Sequence, residues 1–189
     1  MDASGHAPDR HDEPGAAAAA AAAQEALHHA VEELRARGVP DEAVAVLRTP
    51  RAFGPIRRAP VMVPTGRAWR LGVLLLAADG GLAATGRVTR ALEPTRSQDL
   101  SAGVEARKDA RRAAARGRFR EGEAVHWDVV PLTLAADALL DPGDPFPGRL
   151  SLRGQEVVVQ WGPTAGDVRP LAAYLRDRLD VLDLGRSPG

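Results

Sequence analysis

The segment Trp69 to Ala77, WRLGVLLLA, does most to restrict what this chain can become. From Val73 to Ala77 every residue is apolar. A strand here carries apolar side chains on both faces, because successive residues point to opposite sides, so it needs cover on both. A membrane span is excluded on length: Leu71 to Ala78 is eight residues, against about 20 for a spanning helix. The run leads through Ala78-Asp79-Gly80-Gly81 into Leu82 to Arg90. Asp-Gly between two apolar runs signals a tight hairpin turn, and a primed turn with positive φ at both central residues is the expectation. In the second arm Leu82, Ala84, Gly86 and Val88 share one face, and Thr85, Arg87 and Thr89 the other. A phosphate-binding reading of these glycines fails, since that loop requires a lysine and a following helix. Here a strand follows and no lysine is present.

Around this centre the sequence predicts an α+β chain with a largely antiparallel, curved sheet or small partly open barrel, closed by a C-terminal amphipathic helix. A pleckstrin-homology-like barrel satisfies the same element order. Residues 1–15 are polar and predicted disordered, and they lack the basic start and apolar core of a secretory signal. Residues 16–48 read as an Ala-rich helical segment. The run Ala16 to Ala23 starts a helix to Arg37 with Leu27, Ala30, Val31 and Leu34 on one face. Gly38 caps it, and Asp41 starts a second short helix to Arg48. Residues 49–184 form a single α+β domain and 185–189 a tail. Strands are expected at Val61 to Val63, Trp69 to Ala77, Leu82 to Arg90 and Ala124 to Val130, with Leu132 to Leu134 continuing after Pro131. A helix is expected from Val104 to Arg116, a loop from Asp137 to Pro147, and a hairpin from Leu150 to Leu152 and Glu156 to Trp161. A last helix capped by Asp167 carries the stripe Val168, Leu171, Leu175, Leu179 and Leu182. Trp69, Trp127 and Trp161 are the expected large pieces of a core otherwise made of Leu, Val and Ala.

The chain has no cysteine. Disulfides, thiolate metal sites and cysteine nucleophiles are therefore excluded, and a cytoplasmic location is the natural expectation. Lys108 is the only lysine among 25 basic residues. With the abundant Ala, Gly and Pro, this Arg bias fits a high-GC coding sequence. The net charge is zero, yet Val44 to Arg120 holds 16 Lys and Arg against 5 Asp and Glu. Such a basic middle steers anionic partners unless the acidic ends neutralise it.

Sites of chemistry are sparse. There is no GxSxG or SxxK motif. Four of the five histidines fall in the N-terminal tail and first helix. His28 and His29 are neighbours about 100° apart on a helix and do not form an i, i+4 metal pair. His126 on a strand, with Asp128 two residues on, is the one pair with the chemistry of a general base. The loop Gly162 to Asp167 opens onto a helix N-terminus, but Asp167 there repels anions. The basic helix and its flank offer Arg51, Arg57, Arg58, Arg107, Arg111, Arg112 and Arg116 as anion- or nucleic-acid-binding groups. Arg48, Arg67 and Arg70 extend the same surface. The aromatic side chains that nucleic-acid recognition adds are missing there. Neither a cofactor nor a metal is implied.

RTPRAFGPIRRAP at Arg48 to Pro60, GRAWRLGVLLL at Gly66 to Leu76, the Arg-rich helix ending AAARG and the closing YLRDRL resemble a family of small uncharacterised proteins from high-GC actinobacteria. The resemblance covers about Ala26 to Leu182. It implies no established activity and no functional residue. A glutaminase label in that family finds no support here, because the chain has neither SxxK nor cysteine.

Three functions follow from these features. The first is a binding or scaffold domain without a recognisable catalytic site, whose partner the sequence does not identify, a protein being one candidate. The second is a small hydrolase-type enzyme that uses His126 and Asp128 on an anionic substrate. The third is a nucleic-acid-associated protein that uses the basic middle, a less favoured partner class.

Overall fold

The computed structural model describes residues 13–50, 59–93 and 102–184. The chain is α+β, with four helices, ten strands and mostly antiparallel pairing among the described residues. It divides into two compact units that alternate along the sequence. The first comprises residues 1–39, 71–84 and 131–189; the second comprises residues 40–70 and 85–130. No described helix is long and apolar enough to cross a membrane. Of residues 1–15, expected to be disordered, 1–12 lie outside the described residues, as does the C-terminal tail, while 13–15 are helical.

The first unit is built on α1 (Glu13–Ala36), which starts three residues before the alanine run. Leu27, Ala30, Val31 and Leu34 are buried, as the helical spacing predicts, and so are Ala16, Ala19 and Ala23. Alanine keeps the helix favourable while allowing its neighbours to approach closely. The helix ends in a Schellman motif: Val39 N–H donates to Leu34 O and Gly38 N–H to Arg35 O, both at 3.0 Å, with Gly38 at φ +59°. Packed on α1 are α3 (Ala136–Leu140), strand β9 (Glu156–Gln160) and α4 (Leu171–Leu184). Strands β8 (Leu150–Arg153) and β9 form the expected antiparallel hairpin, and β10 (Val168–Pro170) adds to β9. On α4, Leu171, Tyr174, Leu175 and Leu179 are buried.

Several sequence expectations change in this unit. Asp167 caps no helix. Its Oδ2 accepts from Thr164 N–H and Oγ1–H at 2.9 and 2.8 Å, and the chain runs on as β10 before α4 begins. Residues 137–140, expected as loop, belong to the short helix α3, which buries Leu139. Trp161 is not core and stands 47% exposed.

Trp69 to Ala77 is not one strand. The chain breaks at Gly72, whose φ is +64°, before β3 (Leu74–Ala77). The Tyr174 hydroxyl fixes that corner by accepting from Val73 N–H at 2.9 Å and donating to Leu71 O at 3.1 Å. Strand β3 pairs with β4 (Leu82–Ala84) through the expected hairpin. Its turn is not primed, however. Gly80 N–H donates to Ala77 O at 3.0 Å and Ala77 N–H to Gly81 O at 2.8 Å, with only Gly80 at positive φ. That is a type I turn followed by a glycine bulge, the usual three-residue alternative.

The second unit is a sheet in the order β5-β6-β1-β2, with helix α2 packed on one face. The strands are β1 (Glu42–Arg48), β2 (Val61–Leu71, entering the first unit at its last residue), β5 (Arg87–Arg90) and β6 (Ala124–Trp127). The short β7 (Val130–Leu132) follows β6 in the chain. The β1–β6 pair is parallel; β5–β6 and β1–β2 are antiparallel. Ala43, Ala45, Met62, Val125 and Trp127 face Ala110, Ala113 and Ala114 of α2 (Ala102–Ala115). In neither unit do the described strands close into a barrel.

Residues 42–48, expected as a helix, are β1. Ala43 and Ala45 are buried on the core side, while the β-branched Val44 and Val46 suit a strand. Asp41 caps nothing; its carboxylate accepts from Arg67 Nε at 2.7 Å. Leu82 to Arg90 is likewise interrupted at Thr85-Gly86, and Ala124 to Val130 at Asp128, which stands in the left-handed region at φ +59°.

Arg67 joins β1 and β2 to the turn before β6 through Asp41 and through Glu123 Oε1 at 2.6 Å. That hydrogen bond is the main reason the Glu123 carboxyl titrates below its ordinary range. The folded chain therefore binds this proton less readily than the unfolded chain. The resulting stabilisation is complete above the ordinary glutamate value of 4.5 and is lost as pH falls through the lower native value. Thermal unfolding followed from about pH 6 to about pH 3 should show part of the acid destabilisation in this window. Glu123→Gln should flatten that part of the curve.

Candidate functional site

The second unit contains a cleft of about 400 Å³. Strand β5 contributes Arg87, Val88, Thr89 and Arg90, and α2 contributes Arg107, Ala110 and Arg111. Glu42 of β1, Arg70 of β2, and Ala124 and Trp127 of β6 complete it. Arg107 and Arg111 reach it together because four helical residues return a side chain to the same face. Arg87 stands directly opposite Trp127 in the β5–β6 register. Its guanidinium lies 4.4 Å from the ring centroid, a cation–π contact.

The charge balance is one-sided. Among the described residues, five arginines and a single carboxylate, that of Glu42, line the cleft. Arg90 donates to Gly122 O at 3.0 Å. Arg70, Arg87, Arg107 and Arg111 have no carboxylate partner among the described residues. Like charges gathered without counter-charges repel one another. An anion entering the cleft relieves that repulsion and gains charge-assisted hydrogen bonds.

The Glu42 carboxylate is also occupied: its Oε2 forms a short contact with His126 Nε2. His126 is 1% exposed. Its ring is thus a buried group, not a solvent-facing one, and its partner is a glutamate 84 residues away in sequence. Asp128 is exposed and makes no hydrogen bond or ion pair among the described residues. Glu42→Ala should leave the buried imidazole without its acceptor and cost about 2 kcal/mol. Replacing both residues with leucine should restore most of the loss, because the buried polar group disappears with its partner. Chemical denaturation of the single and double variants checks this.

The other arginines singled out by sequence are placed differently. Arg112 pairs with Asp109 at 2.8 Å within α2. Arg116 donates from Nε and Nη2 to Pro60 O at 3.0 and 2.7 Å, which ties the helix end to the start of β2. Arg51, Arg57 and Arg58 lie outside the described residues. The loop Gly162 to Asp167 is filled by its own groups. Asp167 takes the Thr164 N–H, and the buried Gln160 donates to Gly162 O and Thr164 O.

Sequence reasoning missed Arg87, Arg90 and Glu42. The available signal was RVTR itself, two arginines bracketing a short strand. The described residues hold no group of three or more His, Asp or Glu that could bind a metal ion. Compared with known proteins, the chain matches no family, no curated protein and no solved structure.

Proposed function

We propose that this protein is a cytoplasmic binding module whose second unit takes up an anionic partner in the arginine-lined cleft. One observation carries the reading: Arg70, Arg87, Arg107 and Arg111 line one cavity without a carboxylate partner among the described residues. Exposed charges on a protein surface are ordinarily interspersed with charges of the opposite sign. Residues 40–70 and 85–130 together carry 16 Lys and Arg against 9 Asp and Glu, so the excess extends through the unit.

The reading favours binding over turnover. His126 is buried and does not line the cleft, and Glu42, the one acidic group lining it among the described residues, is already held by His126. It also favours a compact anion over single-stranded nucleic acid, which stacks its bases on exposed aromatic rings. Trp127 is 9% exposed and lies under Arg87, and Trp69 is 6% exposed. The resemblance to small uncharacterised actinobacterial proteins is compatible with such a module.

Calorimetric titration of the full chain with pyrophosphate tests the proposal. Binding should weaken steeply as salt is raised, because the exposed guanidiniums are screened. No heat and no salt-sensitive binding at low ionic strength would sink it.

A further inference from the structure

The arginines explain why the cleft attracts an anion, but they leave two of its other lining groups unexplained. The first is Glu42, whose side chain is 35% exposed. Its Oε2 is taken by His126 Nε2, while Oε1 has no hydrogen-bond partner among the described residues. A carboxylate accepts hydrogen bonds and donates none. A ligand made only of anionic oxygens finds no partner there and is repelled. The second is Trp127. It is 9% exposed, and its indole Nε1–H is buried with no hydrogen-bond partner among the described residues. An indole nitrogen donates and does not accept, and leaving a buried donor unpaired is costly. Arg87 lies over this ring and makes no hydrogen bond or ion pair among the described residues. Its exposed side chain is held there by the ring alone and is free to swing onto an anion. The cationic cleft therefore holds one acceptor that lacks a donor and is bordered by one donor that lacks an acceptor.

We propose that the occupant is a phosphorylated polyol or sugar, with Glu42 Oε1 as the acceptor for one of its hydroxyls. This rests on the anion-binding reading above. The phosphoryl group meets Arg87, Arg107 and Arg111, and one of its oxygens accepts from the Trp127 indole once Arg87 moves onto the anion. A phosphoryl group suits this set of donors better than a carboxylate, because it offers three acceptor oxygens instead of two. An ammonium group would also donate to Glu42, but five arginines repel a further cation. A hydroxyl donates without bringing a charge. A nucleotide adds a base, and the Trp127 ring is already covered by Arg87 and offers that base no open stacking face. The cleft, at about 400 Å³, lies in the lower part of the size range of small-molecule sites, as such a ligand requires.

The test titrates three probes into the full chain: sorbitol 6-phosphate, hexyl phosphate and pyrophosphate. The first two share a six-carbon chain and a phosphate and differ in their hydroxyls. Sorbitol 6-phosphate should bind at least about tenfold more tightly than hexyl phosphate, the gain expected from a hydrogen bond to a charged group. Glu42→Leu with His126→Leu should abolish that preference, and pyrophosphate should then bind more tightly because a negative charge has left the cleft. In the native chain the Trp127 indole N–H resonance should move downfield when sorbitol 6-phosphate binds. Equal binding of the two esters overturns the hydroxyl assignment and leaves the anion reading intact, as does binding of pyrophosphate alone. A preference that survives the double substitution, or equal weakening of all three probes by it, overturns Glu42 as the acceptor. An unmoved indole resonance overturns the Trp127 contact. Binding of none of the three to the native chain overturns both this proposal and the anion reading.

Discussion

Gly86→Ala is expected to destabilise the protein by about 3 kcal/mol, enough to lower the thermal midpoint of unfolding by many degrees. A Cβ built on Gly86 falls 1.9 Å from Asp128 O, 2.4 Å from Asp128 C and 2.6 Å from Trp127 O. All three are backbone atoms, so no side-chain rotation relieves the clash. The obstruction stands where β6 ends in the left-handed Asp128, and beside the Arg87–Trp127 contact. Relief requires β5 to move away from β6, which breaks ladder hydrogen bonds and uncovers Trp127. Denaturation monitored by tryptophan fluorescence reads the effect. A loss below about 1 kcal/mol would show that the backbone yields there without breaking the sheet.

Reversing Arg107 and Arg111 together is expected to weaken anion binding by about 100-fold or more at low salt. The two substitutions replace two positive charges with two negative ones beside the existing Glu42. Both residues are exposed on α2, and neither makes an ion pair among the described residues, so the fold should be little affected. Arg112→Glu with Arg116→Glu supplies a contrast. These residues pair with Asp109 and with Pro60 O, outside the cleft. That variant should lose more stability and less affinity. Binding isotherms alongside melting curves separate the two patterns.

The legible parts of the fold were those set by local periodicity. The face Leu27, Ala30, Val31 and Leu34, the β8–β9 hairpin and the span of α2 all followed from spacing along one segment. The segment Glu42 to Arg48 did not, because EAVAVLR is compatible with either helix or strand. Its choice is made by partners far along the chain: Val46 opposite Val63, and Ala43 beside Val125. The breaks at Gly72, Gly86 and Asp128 were hidden for a related reason. Each depends on what sits beside the residue, such as the Tyr174 hydroxyl at the Gly72 corner, and neighbouring sequence does not reveal it.

The cleft divides in the same way. Arg107 and Arg111 could be grouped by their i, i+4 spacing. Arg70, Arg87 and Arg90 join them only through pairing of β5 with β6 and of β1 with β2. The pairing of His126 with Glu42 instead of the nearby Asp128 comes from the parallel β1–β6 register, which sets Ala43 beside Val125.

The alternation of the two units along the chain governs how the protein can form during synthesis. All segments of the second unit are complete once residue 130 has left the ribosome. The first unit has no such early point. Its helix α1 is made first, while its main partners β9 and α4 are made last. At translation rates of roughly 5–20 residues per second, α1 waits on the order of ten seconds with its apolar stripe uncovered. Most of that stripe's upstream half is alanine, which offers little surface for premature association. The alanine run that packs closely in the finished molecule is thus also suited to a long wait on the nascent chain. Replacing Ala16, Ala19 and Ala23 with leucine would burden the emerging polypeptide before it burdened the native state.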